Sequence, residues 1–343
     1  MRRLDWERYP LIGGDVQAHA WLNFQCNRGL AMNTILTYGY ALESFLAFCQ
    51  SHRIAPQSIS REQTAHYVRS LREGTEQNRQ RALSNATQQV RLTVVRLFQD
   101  FLVEEGLREF NPVGRGRYVS GNSSAGKRGL IPRQHKLPWI PTEDDWQRLL
   151  NVVKQETLRN RLMFMLAYDG ALRREELCSL QTHNIDPAMR LIQIEADYTK
   201  NRRARTVPFS EITMRLYMAY LQERREISRE RGVIFLSTSN RNHGQPITLW
   251  AWSKVCRNLA LQAQVEGFST HTLRHLCLTD LARAGWDIHE IAEFAGHSDT
   301  QTTLKYIHVS GRELAAKLNS SLGDLHRWRV ATIAEGGRHD LPD

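Results

Sequence analysis

Along residues 34–52, TILTYGYALESFLAFCQSH, apolar side chains recur at spacings of three and four, so that Ile35, Tyr38, Leu42, Phe45, Leu46 and Cys49 share one face. That period predicts an amphipathic helix. Three neighbours complete the region: a helix from Asp15 to about Cys26, one begun by Ser60 with Gln63 three residues later, and one opened by Ser84 that stops at Gly106 before Asn111-Pro112. Ser60 and Gln63 have capping-box spacing, in which each side chain satisfies the other's free backbone N–H. Residues 1–110 read as a compact four-helix domain.

Beyond Pro141 the pattern is helical again, then changes. Thr142 and Asp145 form a second capping signal, and 143–154, 158–168 and 173–180 keep the helical period. RLIQIEAD (190–197) and RTVPFS (205–210) are short and rich in β-branched residues, and the polar YTKNRRA between them predicts a hairpin turn. Helices follow at about 210–230, 248–264, 271–284 and 287–295. Residues 142–310 are therefore expected to form an α+β domain, mostly helical with a small β-sheet. No internal repeat is visible.

Between the two lies 111–141, which mixes Pro, Gly and Ser with Arg115, Arg117, Lys127, Arg128, Arg133 and Lys136. It carries too little apolar surface to fold alone and reads as a basic linker. Such a segment serves equally as a solvated hinge or as a strap along a phosphate backbone. A chain of 343 residues has room for two domains.

Composition sharpens the picture in three places. LMFMLAY (162–168) falls far short of the roughly 20 residues that span a bilayer, and the N-terminal MRRLDWERYP lacks the apolar core of a secretory leader, so a cytoplasmic protein without membrane contact is expected. The five cysteines are odd in number and form no C-x-x-C pair, which disfavours a disulfide framework or a structural zinc site. The net charge of +10 points to a polyanionic partner. The excess is concentrated early: 19 Lys and Arg against 11 Asp and Glu through residue 140, and 27 against 25 thereafter. Arginine supplies 39 of the 46 basic residues, and its planar fork suits phosphate.

Four separated stretches carry candidate chemistry. In GALRREELCSL (170–180), Arg173 and Glu176 stand three apart and can meet on one helix face; Lys200 sits at the predicted hairpin tip, where a long cation reaches outward. In THTLRHL (270–276), His271 and Arg274 repeat the three-residue spacing, and in AGHSDTQTTLKYIHV (295–309) His297 precedes Ser298, a helix-cap candidate, with Tyr306 beyond the short helix that follows. Each alone has a plainer reading as a surface ion pair, a solvated charge or a core aromatic. His271 and His275 also have zinc-ligand spacing, with His297 as a third ligand. That reading lacks the glutamate of H-E-x-x-H, because Thr272 follows His271, and it would set the fixed charge of Arg274 beside the metal.

Together the stretches resemble the boxes of the tyrosine site-specific recombinases, the phage integrase family. ALRREEL is similar to the family's G-L-R-x-x-E-L, TKNRRARTVP to its β-hairpin lysine segment, HTLRH to H-x-L-R-H, and AGHSDTQTTLKYIHV to G-H-x-x-x-x-x-T-x-x-Y with nine residues from His to Tyr. The boxes come in family order over 170–306. Ala171, Asn201 and Ala295 depart from the usual residues without touching a reacting group.

The resemblance implies a catalytic set of Arg173, Glu176, Lys200, His271, Arg274, His297 and Tyr306. Attack on a phosphodiester builds negative charge on its non-bridging oxygens, which two guanidiniums with histidine donors can cradle without metal, cofactor or ATP. In the family picture Tyr306 is the nucleophile, His271 its base, Lys200 the acid for the leaving 5′ oxygen, and Glu176 the residue that orients them. Holding the bond as a 3′-phosphotyrosine makes the step reversible, so a second 5′-hydroxyl can complete strand exchange.

The resemblance also implies a SAM-like, four-helix N-terminal domain that clamps duplex DNA together with the catalytic domain. The basic linker crosses between them, in the two-domain type of Cre and the Xer recombinases. Arg115, Arg117, Lys127, Arg128, Arg202 and Arg203 are the expected DNA contacts, and 32–53 and 84–105 the expected groove helices. In the tail, 311–343, Leu314, Leu318, Leu322 and Leu325 make an apolar stripe. Docking on a neighbouring protomer would give a homo-tetramer on DNA, whereas packing on its own domain would not. Two other classes share these features: a type IB topoisomerase, and a DNA-binding regulator that has lost catalysis.

Overall fold

The computed structural model describes residues 4–74, 82–114, 130–131, 138–198 and 203–306. The chain divides into two compact units, Met1–Lys136 and Leu137–Asp343. Lys200, Arg115, Arg117, Lys127, Arg128, Arg202 and the leucine stripe of the tail lie outside the described residues.

The first unit is helical: α1 (Pro10–Gly14), α2 (Val16–Asn27), α3 (Met32–Ser51), α4 (Arg61–Glu73) and α5 (Asn85–Glu104). α1 was not foreseen, because five residues are too few to show a period. Pro10 opens it, where its missing N–H is no loss, and the Glu43 carboxylate accepts from the backbone N–H groups of Leu11 and Ile12 at 2.9 and 3.0 Å. Asp15 then caps α2 by accepting from Ala18 N. The capping box of α4 forms as the sequence spells it, Ser60 and Gln63 each holding the other's backbone N–H. The predicted face of α3 is inward: Ile35, Leu42, Phe45, Leu46 and Cys49 are buried, and Tyr38 stacks on Trp21 at 5.7 Å. Two residues of the stretch read as linker belong to this core. Val113 and Ile131 are buried in it, and the Asn111 side chain ties the turn to α5 through Arg96 O and Asp100. A Pro/Gly-rich segment need not fold alone when a neighbouring core accepts its few apolar side chains.

The second unit contains α6 (Glu143–Val153), α7 (Leu158–Asp169), α8 (Arg174–Ser179), α9 (Glu211–Ile227), α10 (Leu249–Gln262), α11 (Thr272–Arg283) and α12 (Ile288–Ala295). Its sheet is three-stranded and antiparallel, in the order β1 (Ile185–Asp186), β2 (Leu191–Ile194), β3 (Arg205–Pro208). The hairpin register pairs Leu191 with Pro208 and Ile194 with Arg205. Ile192, Ile194 and Val207 point into the core by strand alternation. β1, only two residues long, left no mark in the sequence. α7 packs against α8, α9 and α11 and buries Leu162, Met163, Phe164, Leu166 and Ala167, so it is the central helix. A smaller cluster, Ala171, Cys277, Leu278, Ile291, Ala295 and Tyr306, joins the start of α8 to α11, α12 and a 3₁₀ helix, Thr300–Tyr306.

Candidate active site

Five backbone features deliver the site. Arg173 stands just before α8, Arg205 opens β3, and His271, Arg274 and His275 fall on the first turns of α11. The end of α12 and the turn after it carry Ala295, Gly296 and His297, and the 3₁₀ helix carries Tyr306. Gly296 has φ +63°, the left-handed conformation that ends α12 and turns the chain back toward α11.

Glu176 is the buried centre, 1% exposed. Its Oε1 accepts from Arg173 Nη1 at 2.7 Å and from Arg205 Nη1 at 3.0 Å; its Oε2 accepts from Arg205 Nη2 at 2.7 Å and from the Arg173 backbone N–H at 2.9 Å. Burial alone would raise the carboxyl's pKa, but the bonds and charges of Arg205 and Arg173 outweigh it and hold it down at about 2.

Arg274 is 5% exposed, and it donates to Ala171 O and Ala295 O, both at 2.6 Å. Ala171 reaches it from a left-handed backbone, φ +46°, at a position where glycine is usual in the resembled box. Burial, with Arg173 and Arg205 nearby, lowers the guanidinium from its ordinary value to about 9, still charged at neutral pH. Its Nη2 also lies 2.9 Å from His297 Nε2. Because a guanidinium only donates, that nitrogen is the acceptor, and Nδ1–H of His297 donates to Thr303 Oγ1 at 2.9 Å. Arg173 Nη2 reaches Gly296 O at 3.4 Å, so the two box arginines hold successive carbonyls of one turn.

Tyr306 is 6% exposed. Its ring lies nearly parallel to that of His297, 6.3 Å between centroids, and its hydroxyl is 2.8 Å from Nδ1 of His275. Burial raises the phenol, while Arg274 and Arg173 pull it back. Burial pushes His275 down to about 4, with His271, Arg274 and Lys305 acting the same way, so the imidazole is neutral near pH 7, and in the tautomer with its hydrogen on Nε2 its Nδ1 accepts the phenolic hydrogen. His271 reaches the surface at the start of α11, 6.4 Å between ring centroids from His275. Partial desolvation lowers it, as do Arg174, Arg274 and Arg173, against Glu175.

Of the expected site residues, Arg173, Glu176, Arg274, His297 and Tyr306 therefore converge, and His271 flanks them one helical turn before His275. Two details differ from the sequence reading. Asp299, not Ser298, caps the 3₁₀ helix Thr300–Tyr306, its carboxylate accepting from Gln301 N at 2.9 Å; and Tyr306 belongs to that helix, not to a stretch beyond it. Arg203 is exposed. The zinc reading finds two of its three histidines otherwise engaged, His275 with Tyr306 and His297 with Arg274 and Thr303, and the third, His271, at the surface. Among the described residues no group of three or more His, Cys, Asp or Glu is placed to hold a metal ion.

Sequence reasoning missed Arg205 and His275. His275 was weighed only as a metal ligand. Arg205 did carry a signal: strand alternation gives it the parity of Val207, whose side chain is fully buried, so an arginine there must enter the interior and find a counter-charge.

The neutral, depressed histidines have a consequence for stability. Between their folded values, about 4 for His275 and about 3 for His297, and the ordinary 6.5, the unfolded chain binds more protons than the folded one. Stability therefore rises with pH there and is lost as pH falls below about 6.5. Glu176, depressed from 4.5 to about 2, adds a further loss below about pH 4.5. The unfolding midpoint of the second unit is expected to drop steadily from pH 7 to pH 4 in a calorimetric pH series.

Comparison with known proteins places this geometry. Residues 141–313 match the Phage integrase family, and residues 20–106 match the Phage integrase, N-terminal SAM-like domain. Transposase A from transposon Tn554 of Staphylococcus aureus is 27% identical over 326 residues, covering 88% of this chain and 90% of that protein. Tyrosine recombinase XerD of Oceanobacillus iheyensis is 27% identical over 296 residues, covering 84% and 91%. In fold, the chain resembles the crystal structure of the XerH site-specific recombinase bound to palindromic difH substrate in its post-cleavage complex, with a TM-score of 0.66 and 20% identity, over 88% of this chain and 85% of that one.

Proposed function

The chain belongs to the phage integrase family, the tyrosine recombinases, and from that premise we propose that it cuts and rejoins duplex DNA at a specific site through a covalent 3′-phosphotyrosine link to Tyr306. The supporting observation is convergence. Arg173 and Arg274, 101 positions apart in the sequence, hold successive carbonyls of one turn, and the hydroxyl of Tyr306 lies on the residue directly after Arg274.

In the proposed reaction the scissile phosphate sits against the partly exposed guanidinium of Arg173 and the N–H groups of Arg274 not used by the two carbonyls and His297. The Tyr306 oxygen attacks phosphorus, its proton leaves toward the histidines of α11, and the P–O5′ bond breaks as O5′ takes a proton from Lys200. His275 Nδ1 already stands 2.8 Å from that oxygen in the resting site, and His271 is the base the family picture implies. The two arginines then meet charge that grows only as the transition state forms, which is where fixed donors act most strongly. Attack by another 5′-hydroxyl reverses the step and joins a new partner strand.

The chemistry of the partner follows: duplex DNA, held through phosphates by the arginine-rich first unit and the basic 111–141 stretch, with Arg115, Arg117, Lys127, Arg128, Arg202 and Arg203 as phosphate contacts. Strand exchange between two duplexes needs four protomers. The stripe Leu314, Leu318, Leu322 and Leu325 supplies a surface for linking them into a homo-tetramer. Among the described residues no helix is long and apolar enough to cross a membrane, in keeping with a cytoplasmic site of action on DNA.

The test is covalent trapping. A duplex bearing the site that flanks its gene, nicked so that the cleaved fragment diffuses away, is expected to yield a protein–DNA adduct that survives denaturing gel electrophoresis. The yield is expected to be the same with or without a chelator. No adduct, or an adduct abolished by the chelator, contradicts the reading.

A further inference from the structure

We propose that Arg205 is a positioning residue of this site: it absorbs the charge of Glu176, so that Arg173 keeps its own for the scissile phosphate. The inference rests on the reading of Arg173 and Tyr306 given above and assigns a role to a residue of the hairpin segment outside the catalytic set that the resemblance implies.

The argument begins with charge. Glu176 is fully ionised in the interior and touches two guanidiniums. The Arg205 side chain engages both oxygens in a fork, whereas the Arg173 side chain reaches only Oε1, a site it shares with Arg205. The exposures divide the labour further: the Arg205 side chain is 6% exposed and the Arg173 side chain 16%. Arg205 faces inward and spends its charge on the carboxylate. Arg173 keeps the greater exposure. Three guanidiniums, of Arg173, Arg205 and Arg274, against one carboxylate leave a net charge of +2 where a phosphodiester would sit. Without Arg205, Glu176 would have only Arg173 to pair with, and a neutral ion pair attracts an anion weakly.

The backbone is moulded to the same side chain. Arg205 Nε donates to Phe294 O at 3.0 Å, and a Cβ added to Gly296 would lie 3.0 Å from Arg205 Nη1 and 3.1 Å from its Cδ. The turn that presents Ala295 O to Arg274 and His297 to the site therefore passes directly over this guanidinium. Arg205 also opens β3, five residues after Lys200 in the chain, so one clamp joins the α8 start, the α12 turn and the strand leading out of the lysine segment.

A merely structural ion pair makes a different forecast, because a buried pair replaced by apolar or neutral groups of similar size is often neutral in stability. Under the charge role, removing Arg205 alone turns Glu176 against Arg173, whereas neutralising Glu176 as well sets Arg173 free again.

The experiment measures single-turnover adduct formation on the nicked duplex at saturating protein, together with the Kd for the uncleaved site, for wild type, Tyr306→Phe, Arg205→Met and Arg205→Met/Glu176→Gln. Adduct in wild type and none in Tyr306→Phe establishes the underlying reading; its absence in wild type refutes that reading rather than this one. Arg205→Met is then expected to cut about 100-fold more slowly, the loss typical of one removed charge-stabilising donor, with Kd changed less than about threefold. The double variant is expected to regain at least about tenfold of that rate. Should Arg205→Met fail to fold in a melting assay, the double variant carries the test alone and is expected within about tenfold of wild type. A wild-type rate for folded Arg205→Met, a defect lying in Kd instead of the rate, or a folded double variant showing no recovery overturns the role of Arg205.

Discussion

Tyr306→Phe is expected to abolish covalent capture of DNA, lowering adduct formation by about 10⁴-fold or more, while the affinity for the site stays within about twofold of wild type. Removing a nucleophile removes the path to the adduct itself, because attack of water in the same cradle would cut the strand and leave no bond to protein. In the proposed DNA complex affinity comes from many phosphate contacts, and a single hydroxyl contributes little to it. The variant also leaves Nδ1 of His275 without its 2.8 Å partner. A lost hydrogen bond of this kind costs about 1 kcal/mol, so the protein stays folded and the kinetic effect is cleanly read. Filter binding and the denaturing gel, run on the same samples, make the comparison.

Arg274→Ala is expected to be nearly as severe, and for two separable reasons. Its guanidinium holds Ala171 O, Ala295 O and His297 Nε2 together. Deleting it orphans two buried carbonyls at about 1–3 kcal/mol each, enough to lower the melting midpoint by roughly 10 °C in a unit of this size. It also takes from the transition state a charge of the kind that speeds phosphoryl transfer by about 10³–10⁵-fold. Arg274→Lys separates the two effects only in part. An ammonium keeps the charge but cannot span two carbonyls and an imidazole at once, so adduct formation is expected to stay at least about 100-fold below wild type. A rate within tenfold of wild type for either variant would show that the phosphate binds elsewhere.

These expectations depend on contacts with very different visibility in the sequence. The helices of the second unit were legible because their ends are written locally: Thr142 with Asp145, and the change of period at 190–210, are features of neighbouring residues. α1 and β1 were not, being too short to show a period; each is held by partners distant in the chain or across the sheet, such as Glu43 for α1. The site divides in the same way. Arg173 with Glu176 is a spacing of three along one turn and was read directly. Arg205 meets Glu176 from 29 residues away, and His275 meets Tyr306 from 31, and no spacing rule announces either pair. His297 was expected as a donor to phosphate, yet in the resting site its Nε2 accepts from Arg274. The residue type was readable, whereas the direction of its hydrogen bond depends on which neighbour is obliged to donate.

The two arginines also show why one amino acid served as a reliable guide and another did not. Arg274 lies in a box whose neighbours, His271 and His275, mark the stretch as unusual for a helix start. Arg205 lies in RRAR, where exposed Arg203 looks the same in sequence. Only strand parity separates the buried arginine from its solvated neighbour.

The most direct measurement is the identity of the residue bonded to DNA. Adduct formed on the nicked duplex is digested with protease and nuclease, and the nucleotide-bearing peptide is sequenced by mass spectrometry. The account predicts one modified peptide, with the phosphate on the phenolic oxygen of Tyr306. A nucleotide on any other side chain, or adduct of equal yield from Tyr306→Phe, would contradict it.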